Sequence, residues 1–370
     1  MNGKERDRLA MFRRVEQGQL TLGQAAGALS ISYRQAKRLW RAYRQQGDVG
    51  LVHGLRGRPS NNQATVDARR ELGVELYREH YQGFGPTLAA EQLAERHDLV
   101  VDHETLRRWL IVAGLWRVGR RRKPVHRRRD RRSCFGELVQ LDGSDHHWFG
   151  PERPRCVLMV LIDDATGRTE ARFFEAETTE AVMTIFGLWA IKFGVPGALY
   201  PDRHSIHRRN DKQADEIEHR TGKRPPTRFG QAMAELGVEL IWAHSPQAKG
   251  RVERANATHQ DRLVKLLALE GITDIDAANA YLEQTYLPQH NGKFAVEPAQ
   301  TTDVHRPVDA AELDAALCPV CEERSVDHSG CVSWRGRCFE LTGTDATPRR
   351  RQRVRVRQRL DGTVELVAIS

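Results

Sequence analysis

Three acidic residues in the middle of the chain are candidates for metal-assisted chemistry. Asp142 follows the stretch LVQL, Asp202 follows ALYP, and Glu253 opens a predicted helix after SPQAKG. Carboxylate oxygens are the hard ligands that Mg²⁺ prefers, and Mg²⁺ takes phosphate oxygens as further ligands. Two such ions, about 3.5–4 Å apart, can activate an attacking hydroxyl and stabilise the leaving oxygen of an in-line displacement. The three acids are therefore candidates for a site that binds two Mg²⁺ ions, with Mn²⁺ able to substitute.

Glu253 lies among basic residues, namely Lys249, Arg251 and Arg254. A carboxylate in such surroundings is either an ordinary surface group or one that holds a cation near something negative. Three bare carboxylates would repel a polyanion, whereas bound metal ions reverse the sign of the local charge. We expect the three basic residues to help hold DNA beside the site.

The elements that must position these acids follow from the pattern after Phe135. Short apolar segments alternate with helical ones in the order β-β-β-α-β-α-β-α, which predicts a mixed sheet with helices on its faces. Asp142 is expected near the end of the first strand, Asp202 at the end of the fourth strand, and Glu253 at the start of a late helix. In a ribonuclease-H-like sheet these three positions converge at one edge.

The charge of the chain is uneven. The net charge is +9, but residues 1–132 hold 28 basic and 14 acidic residues, a net of +14, so the remainder carries −5. Basic clusters release counterions from a phosphate backbone, so the front third is expected to bind nucleic acid. The apolar runs are too short to span a bilayer, and the first residues have no apolar signal core. We expect a cytoplasmic, nucleoid-associated protein that does not contact a membrane.

Residues 21–47 have the pattern of a helix-turn-helix. Thr21 can cap a short helix and Ser32 a second one, and each helix has one apolar face. The other face of the second helix carries basic residues at the positions that would enter the major groove. The predicted DNA-contacting residues are Tyr33, Arg34, Lys37, Arg38 and Arg41. A helical hairpin with a solvated basic face is the alternative.

A second unit of the same kind follows a Gly-rich linker. Pro86 and Thr87 begin one predicted helix, and Asp102 caps another that exposes Arg107 and Arg108. We interpret it as a second helix-turn-helix. Residues 117–132 follow this unit and carry almost only positive charges. Like charges cannot pack together in a core, and on DNA this run would follow the phosphates. The bases singled out there are Arg121, Arg122 and Lys123.

The last fifty residues alternate in the manner of short strands and predict a small β-barrel. In the segment RQRVRVRQR one strand face would be almost entirely arginine. Such a face can bind nucleic acid, or it can protect a sheet edge from aggregation. Cys318, Cys321, Cys331 and Cys338 could bind Zn²⁺, but the spacing of the second pair is poor for a zinc site, and we favour free thiols.

The segments QLDGSDHHWF, LYPDRHSIH and SPQAKGRVERANATHQDRL together resemble the DDE transposases of bacterial insertion sequences, close to the ISNCY type, and more broadly retroviral-type integrases. The resemblance implies that Asp142, Asp202 and Glu253 form the metal-binding triad. It also implies cleavage at transposon ends and joining of the 3′-OH to target DNA. One departure is the longer interval between the second and third acids, which we interpret as a surface excursion.

Other polar residues near the triad have simpler explanations. Asp145 is a candidate for support of the site, and Asp164 fits turn chemistry with Gly167. The histidines at 146, 147, 204 and 207 raise the alternative of a transition-metal site. Oxygen ligands suit phosphoryl transfer better, so we expect polar or DNA-facing histidines.

The predicted fold class is multidomain, with N-terminal all-α helix-turn-helix units, a central α/β RNase H-like integrase core with a mixed sheet, and a C-terminal small β-barrel. The predicted divisions are 1–50, a linker at 51–63, 64–116, a basic linker at 117–133, the core at 134–300, a linker at 301–321, and the barrel at 322–370. Two DNA ends must be held together, which predicts at least a dimer on DNA. The alternatives to a transposase are a transcription regulator with an inactive core and a nuclease without joining activity.

Overall fold

A computed structural model describes residues 3–53, 56, 63–117, 130–202, 204–242, 250–340 and 352–369. The chain forms two compact units, one comprising residues 1–81 and 89–117 and the other residues 82–88 and 118–370. Within the described ranges, no helix has both the length and the apolar character needed to cross a membrane.

The first unit is helical, as the sequence predicts. Thr21 and Gln24 form a reciprocal capping box at the start of α2, and the Ser32 hydroxyl accepts the Gln35 N–H at the start of α3. Phe12, Tyr43 and Leu51 form the small core beneath these helices. The helices are α1 Gly3–Glu16, α2 Leu22–Ala28, α3 Tyr33–Gln46, α4 Gln63–His80, α5 Pro86–His97 and α6 His103–Val112.

The second unit is built on a five-stranded mixed sheet. Three antiparallel strands are followed by two parallel ones in the spatial order β4-β3-β2-β5-β6. This is the expected ribonuclease-H-like arrangement, and the predicted order of elements is confirmed except that two helices, not one, lie between the fourth and fifth strands of the sheet. The strands are β1 Cys134–Phe135, β2 Val139–His146, β3 Cys156–Asp163, β4 Thr169–Phe174, β5 Ala198–Tyr200 and β6 Glu239–Leu240.

Helices cover both faces of this sheet. Val139 and Leu141 point to one face, where they share a core with Phe186 of α7 and Phe229 of α9. The alternate residues of β2 point to the other face, against α10, because successive strand side chains alternate. The helices are α7 Thr179–Phe193, α8 Lys212–Thr221, α9 Arg228–Glu235, α10 Gly250–Leu269, α11 Ile275–Tyr281, a π-helical turn Leu282–Tyr286, and α12 Leu287–Phe294.

The exposed edge of the sheet, β4, is closed by two asparagines. The Asn279 side chain accepts the Phe173 N–H at 2.7 Å and donates to the Phe173 carbonyl at 3.1 Å. Asn291 repeats this pairing with Thr169, at 2.7 and 2.8 Å. These side chains occupy backbone groups that would otherwise offer a template for another strand.

The predicted linker at 301–321 is instead part of the central core. Strand β7 Gln300–Asp303 pairs with β1, and helix α13 Ala310–Ala316 buries Leu313 and Leu317 against α7 and α9. The sequence does not predict α13, because seven residues of helix are too few to show a clear apolar periodicity.

The C-terminal region is strand-rich, but its described residues form no closed barrel. They form a three-stranded antiparallel sheet, β12-β11-β8, and a separate hairpin, β9-β10, around Val332, Trp334 and Val356. The strands are β8 Val320–Ser325, β9 Cys331–Trp334, β10 Arg337–Glu340, β11 Arg353–Gln358 and β12 Val364–Ala368.

Candidate active site

Asp142 lies on β2, and Asp202 lies just past the end of the neighbouring parallel strand β5. The pairs Val139–Leu199 and Gln140–Tyr200 set the register of β2 and β5. Each aspartate comes two residues after the second pair, so the two acids follow the same point of the paired strands. Asp142 itself lies within β2, which continues to His146, and not at the strand end predicted from the sequence.

Helix α10 runs alongside β2 and is bonded to it at three levels. The Val252 N–H donates to Gln140 Oε1 at 3.2 Å, and Asn256 Nδ2 donates to Asp142 Oδ2 at 2.7 Å. One turn later, Gln260 bonds the Ser144 hydroxyl at 3.0 Å. Glu253 lies one turn before Asn256, and residues three apart are neighbours on a helix surface. The first turn of α10 therefore lies beside Asp142.

The side of α10 that carries Glu253 can be deduced from its other flank. Arg251 and Thr258 line a cavity of about 200 Å³ together with Ile162 of β3, so this flank lies over β3. Glu253 is about 200° further round the helix than Arg251. Since β3 and β5 lie on opposite sides of β2, the Glu253 flank is the one nearer β5 and Asp202. The Glu253 side chain is exposed.

A buried polar network fixes the start of α10. Asp164 is fully buried, and its carboxylate accepts from Arg251 Nε, Gln140 Nε2 and the Arg132 N–H, each at 2.8 Å. Gln140 in turn accepts the Val252 N–H. The network therefore connects two strands to the first turn of the helix that carries Glu253. Asp164 lies in the predicted turn that ends at Gly167, but its carboxylate is buried and belongs to this network.

Arg251 is an internal ion-pair partner. Its side chain is only 13% exposed and is held by Asp164. The prediction that it contacts DNA is therefore replaced by a structural assignment. The reason is that Asp164, 87 residues away in sequence, needs a cation where it is buried. Arg254, on the outer side of the same turn, is exposed, and its contact with DNA stays a prediction. Lys249 and residues 121–123 lie outside the described residues.

Asp202 is held by the segment that follows it. Its Oδ1 accepts the His204 backbone N–H at 2.9 Å and lies 2.9 Å from Nδ1 of His207. The His207 ring is buried against Phe229. His207 is therefore a positioning residue for this carboxylate and does not face solvent. Its pairing with Asp202 depends on the chain turning back over five residues.

Glu177 is a further acid that the sequence analysis did not single out. It precedes α7, and a Cβ built on Gly143 would lie 2.7 Å from its Oε2. Burial raises the pKa of Glu177, the neighbouring histidines at 204 and 207 lower it, and the charges of Asp202 and Asp142 raise it further. Both aspartates thus contribute to one region of negative potential. The only signal in the sequence was an acid immediately before a capping threonine.

The donor set suits a hard divalent cation. Three carboxylates and the Asn256 amide supply oxygen atoms, and Asn256 Oδ1 is buried with no hydrogen-bond partner among the described residues. The carboxylates are not gathered around one point, however. In the described part of the chain, no three His, Cys, Asp or Glu side chains lie close enough together to hold a metal ion. Asp142 and Asp202 each bond a neighbouring side chain instead.

The remaining candidates separate clearly. Asp145 forms an exposed pair with Arg155 at 3.1 Å, so it does not support the site. Asp163 is buried and accepts the Thr166 amide and hydroxyl; burial raises its pKa, which these bonds oppose. The six cysteines form no disulfide with one another.

The predicted recognition helix presents its polar face to solvent. All five predicted residues on α3 are exposed, and the Lys37 ammonium lies 4.8 Å from the centroid of the Tyr33 ring. In α6, Arg107 and Arg108 both bond Glu104, and these bonds lower the pKa of Glu104 to about 2. The positive charge offered by α6 is therefore partly neutralised within the helix.

The arginine face of β11 is also partly compensated. Arg355 pairs in register with Glu323 of β8, and Glu323 bonds Arg353 at 2.7 Å. Arg359 pairs with Glu365 of β12 at 3.3 Å. Acidic residues on the neighbouring strands thus reduce the charge of the surface that the sequence of β11 alone suggests.

Comparison with known proteins gives consistent relatives. The helix-turn-helix domain family matches residues 7–60. The chain is 42% identical over 321 residues to "Putative transposase y4bF" of Sinorhizobium fredii, which covers 86% of this chain and 68% of that protein. It is 27% identical over 399 positions to the transposase for insertion sequence IS1202 of Streptococcus pneumoniae, covering 98% of this chain and 84% of that protein.

Two solved structures align with parts of this chain at low similarity. The simian T-cell lymphotropic virus intasome in complex with PP2A regulatory subunit B56 gamma aligns with 80% of this chain and 96% of its own, with a TM-score of 0.35 and 13% identity. The HTLV-2 integrase catalytic core domain in complex with magnesium aligns with 42% of this chain and 91% of its own, with a TM-score of 0.28 and 17% identity.

Proposed function

The chain belongs to the transposases of bacterial insertion sequences, and from that premise we propose that it binds the terminal inverted repeats of its element, cleaves the DNA there and joins the 3′-OH to target DNA. One observation carries the proposal. Asp142 on β2 and Asp202 just past the end of β5 each follow the last pair of these neighbouring strands by two residues, and Asn256, one turn after Glu253 on α10, bonds Asp142.

Asp142, Asp202 and Glu253 are the residues that would hold two divalent cations, Mg²⁺ or Mn²⁺. When bound, such ions activate the attacking hydroxyl and neutralise the charge that develops on the scissile phosphate. The protein's own contribution is orientation. Asn256 holds the Asp142 carboxylate and His207 holds that of Asp202, each through a bond of 2.7–2.9 Å. Water and then a 3′-OH act as nucleophiles, so no covalent protein–DNA intermediate is needed.

DNA recognition is proposed for the helical region. The exposed face of α3 reads the major groove, through Tyr33, Arg34, Lys37, Arg38 and Arg41. Arg107 and Arg108 of α6, the basic residues Arg121, Arg122 and Lys123, and Lys249 and Arg254 near the acids contact phosphates. Two transposon ends have to be held together, so the active species is at least a dimer on DNA.

A strand-transfer assay with pre-cut ends in Mg²⁺ or Mn²⁺ tests this proposal. Asp142→Asn, Asp202→Asn and Glu253→Gln should each abolish joining while leaving end binding intact. Asp145→Asn is the matched control, because Asp145 forms a surface pair and should join normally. Joining by any of the three triad variants at the control level refutes the assignment.

Uncut ends and a binding titration, measured beside this assay, separate the two alternatives. Cleavage of the ends without joining would indicate a nuclease with the same sheet. Tight, site-specific binding that is indifferent to Mg²⁺, with neither cleavage nor joining, would indicate a DNA-binding regulator.

A further inference from the structure

The hairpin formed by β9 and β10 carries two thiols that the proposed reaction does not use. In its register Cys338 faces Ser333, and Cys331 faces Glu340. Because successive side chains of a strand alternate between faces, both cysteines lie on the same face of the hairpin, diagonally across the two strands. Diagonal neighbours have Cα atoms about 7–8 Å apart and Cβ atoms somewhat closer, which is within reach of each other's side chains.

The turn between the two strands fixes this alignment. Its two residues, Arg335 and Gly336, have φ angles of +47° and +75°, so both adopt the left-handed region. A two-residue loop with both φ angles positive is a type I′ turn, whose twist matches that of the strands it joins. Trp334 and Arg337 form the first pair beyond it. The diagonal placement of the cysteines therefore follows from the turn.

The start of β9 is also held in place. The Asp327 carboxylate accepts the Cys331 backbone N–H at 2.9 Å and the Ser329 N–H at 2.8 Å. The Asp327 N–H donates back to the Cys331 carbonyl at 2.9 Å. The backbone of Cys331 is thus bonded through both of its polar groups, and its thiol moves mainly by rotation about the side-chain bond.

The two faces of the hairpin have different surroundings. Val332 and Trp334 are buried in the core of the C-terminal region, and Phe339 packs against this core. On the opposite face Cys338 is exposed and Cys331 is partly exposed. A small water-soluble reagent therefore reaches the pair without any unfolding of the hairpin.

The two thiols interact with each other. The pKa of the Cys338 thiol is raised, first by its hydrogen bond with the Cys331 side chain and then by desolvation, and the charge of Asp327 adds to this. Burial raises the pKa of Cys156 to about 11 and also raises that of Cys318. Those two thiols are enclosed as well as protonated, which leaves the hairpin pair as the accessible one.

We propose that Cys331 and Cys338 form a modification site, which closes reversibly into a disulfide when the protein meets a disulfide oxidant such as glutathione disulfide. One thiolate attacks the oxidant, forms a mixed disulfide and releases the first glutathione. The second protein thiol then loses its proton and displaces the second glutathione. Two protein thiols are oxidised to one S–S bond, and one glutathione disulfide is reduced to two glutathione thiols. The site does not depend on the proposed transposase function.

The diagonal placement makes this disulfide a reversible one. A disulfide normally spans about 4.4–6.8 Å between Cα atoms, so closing the bond draws the two strands slightly together. Strained or exposed disulfides are the ones that cellular thiols reduce readily. Zinc is a poorer fit, because a structural zinc ion takes four ligands. Among the residues that the structure describes, no group of three His, Cys, Asp or Glu side chains could hold a metal ion.

Peptide mapping of the folded full chain tests the proposal. The protein is incubated in mixtures of oxidised and reduced glutathione, alkylated and digested with trypsin, which cuts after Arg335 and Arg337. A disulfide then links the peptides 325–335 and 338–349, with a mass two hydrogens below their sum. This link should exceed every other pairing at least about tenfold, because the two thiols are already in contact. It should form about tenfold faster at pH 8 than at pH 7, since the thiolate is the nucleophile.

Two variants serve as controls. Cys338→Ser should stop the reaction at a mixed disulfide between Cys331 and glutathione. Cys321→Ser removes a partly exposed thiol of the neighbouring strand β8 and should leave the link unchanged. Circular dichroism checks that each variant is folded. The same oxidation in urea should lose the preference for the hairpin pair, since only the folded chain holds the two thiols together.

The outcomes are distinct. A linked peptide that forms in the folded chain and disappears in reduced glutathione supports the site, whether or not the protein joins DNA ends. Separate mixed disulfides on both cysteines, or equal linkage to Cys321, would overturn it. Stoichiometric release of zinc when the purified protein is treated with a thiol reagent, lost in Cys338→Ser, would assign the pair to a metal and also overturn the proposal.

Discussion

Arg251 gives the sharpest test of how the candidate site is built. The sequence predicted that Arg251 contacts DNA together with its basic neighbours, whereas the structure pairs it with the fully buried Asp164. Arg251→Ala should therefore destabilise the central domain and change DNA binding little at temperatures where the protein stays folded. Arg254→Ala, three residues along the same helix and exposed, should do the opposite.

The magnitude follows from the surroundings of Asp164. Removing one partner of a buried ion pair costs about 3–5 kcal/mol, because the remaining charge stays desolvated. Asp164 would keep its bonds from Gln140 Nε2 and the Arg132 N–H, both at 2.8 Å. Those donors favour the lower end, so we expect a loss of about 3 kcal/mol. Arg251→Lys keeps the charge but not the planar fork and should lie in between.

Hydrogen–deuterium exchange of the amides in β2 and β3 measures this loss in the central domain itself. The salt dependence of end binding is measured in parallel, where each lost phosphate contact lowers the slope by about one. The reasoning is refuted if Arg251→Ala costs less than about 1 kcal/mol and lowers the salt slope as Arg254→Ala does.

Three further outcomes are expected. Burial lowers the pKa of His290 to about 4 and that of His259 to about 3, whereas the ordinary pKa of histidine is 6.5. At a pH between the lowered pKa and 6.5, each of these histidines is therefore protonated in the unfolded chain but neutral in the folded one. Thermal melts should therefore show full stability above pH 6.5 and a loss of about 2 kcal/mol for each histidine at pH 5. His290→Gln should reduce this loss. A melting temperature that does not change with pH would contradict the prediction. Gly136→Ala, at φ +81° with its Cβ 2.4 Å from His305 Nδ1, should cost about 3 kcal/mol in urea unfolding, against about 1 kcal/mol for Gly222→Ala in open space at φ +72°; equal costs would mean that the contact does not matter. Arg38→Ala should weaken end binding and lower its salt slope by about one in titrations at several salt concentrations, and an unchanged slope would remove Arg38 from the interface.

The sequence alone determined the features that depend on neighbouring residues. Thr21, Ser32 and Asp102 were identified as helix caps, and each cap bonds the first turn of its helix. Capping requires only a side-chain oxygen and a backbone N–H two or three residues away, so local sequence is sufficient. The order of strands and helices along the central part of the chain followed for the same reason, since the alternation of apolar segments and turns is local.

Only the tertiary structure decided which distant residues meet. The pairing of β2 with β5 brings together the segments that carry Asp142 and Asp202, and no local pattern encodes a pairing between segments 60 positions apart. The basic neighbours of Arg251 in sequence suggested that it contacts DNA, but its partner is Asp164, which follows strand β3. The strand and helix at 300–316 read as a linker because their apolar residues are few, and burial against α7 and α9 stabilises them. Burial, and with it the role of each charge, is a property of the packed chain, because desolvation depends on everything that surrounds a group in space.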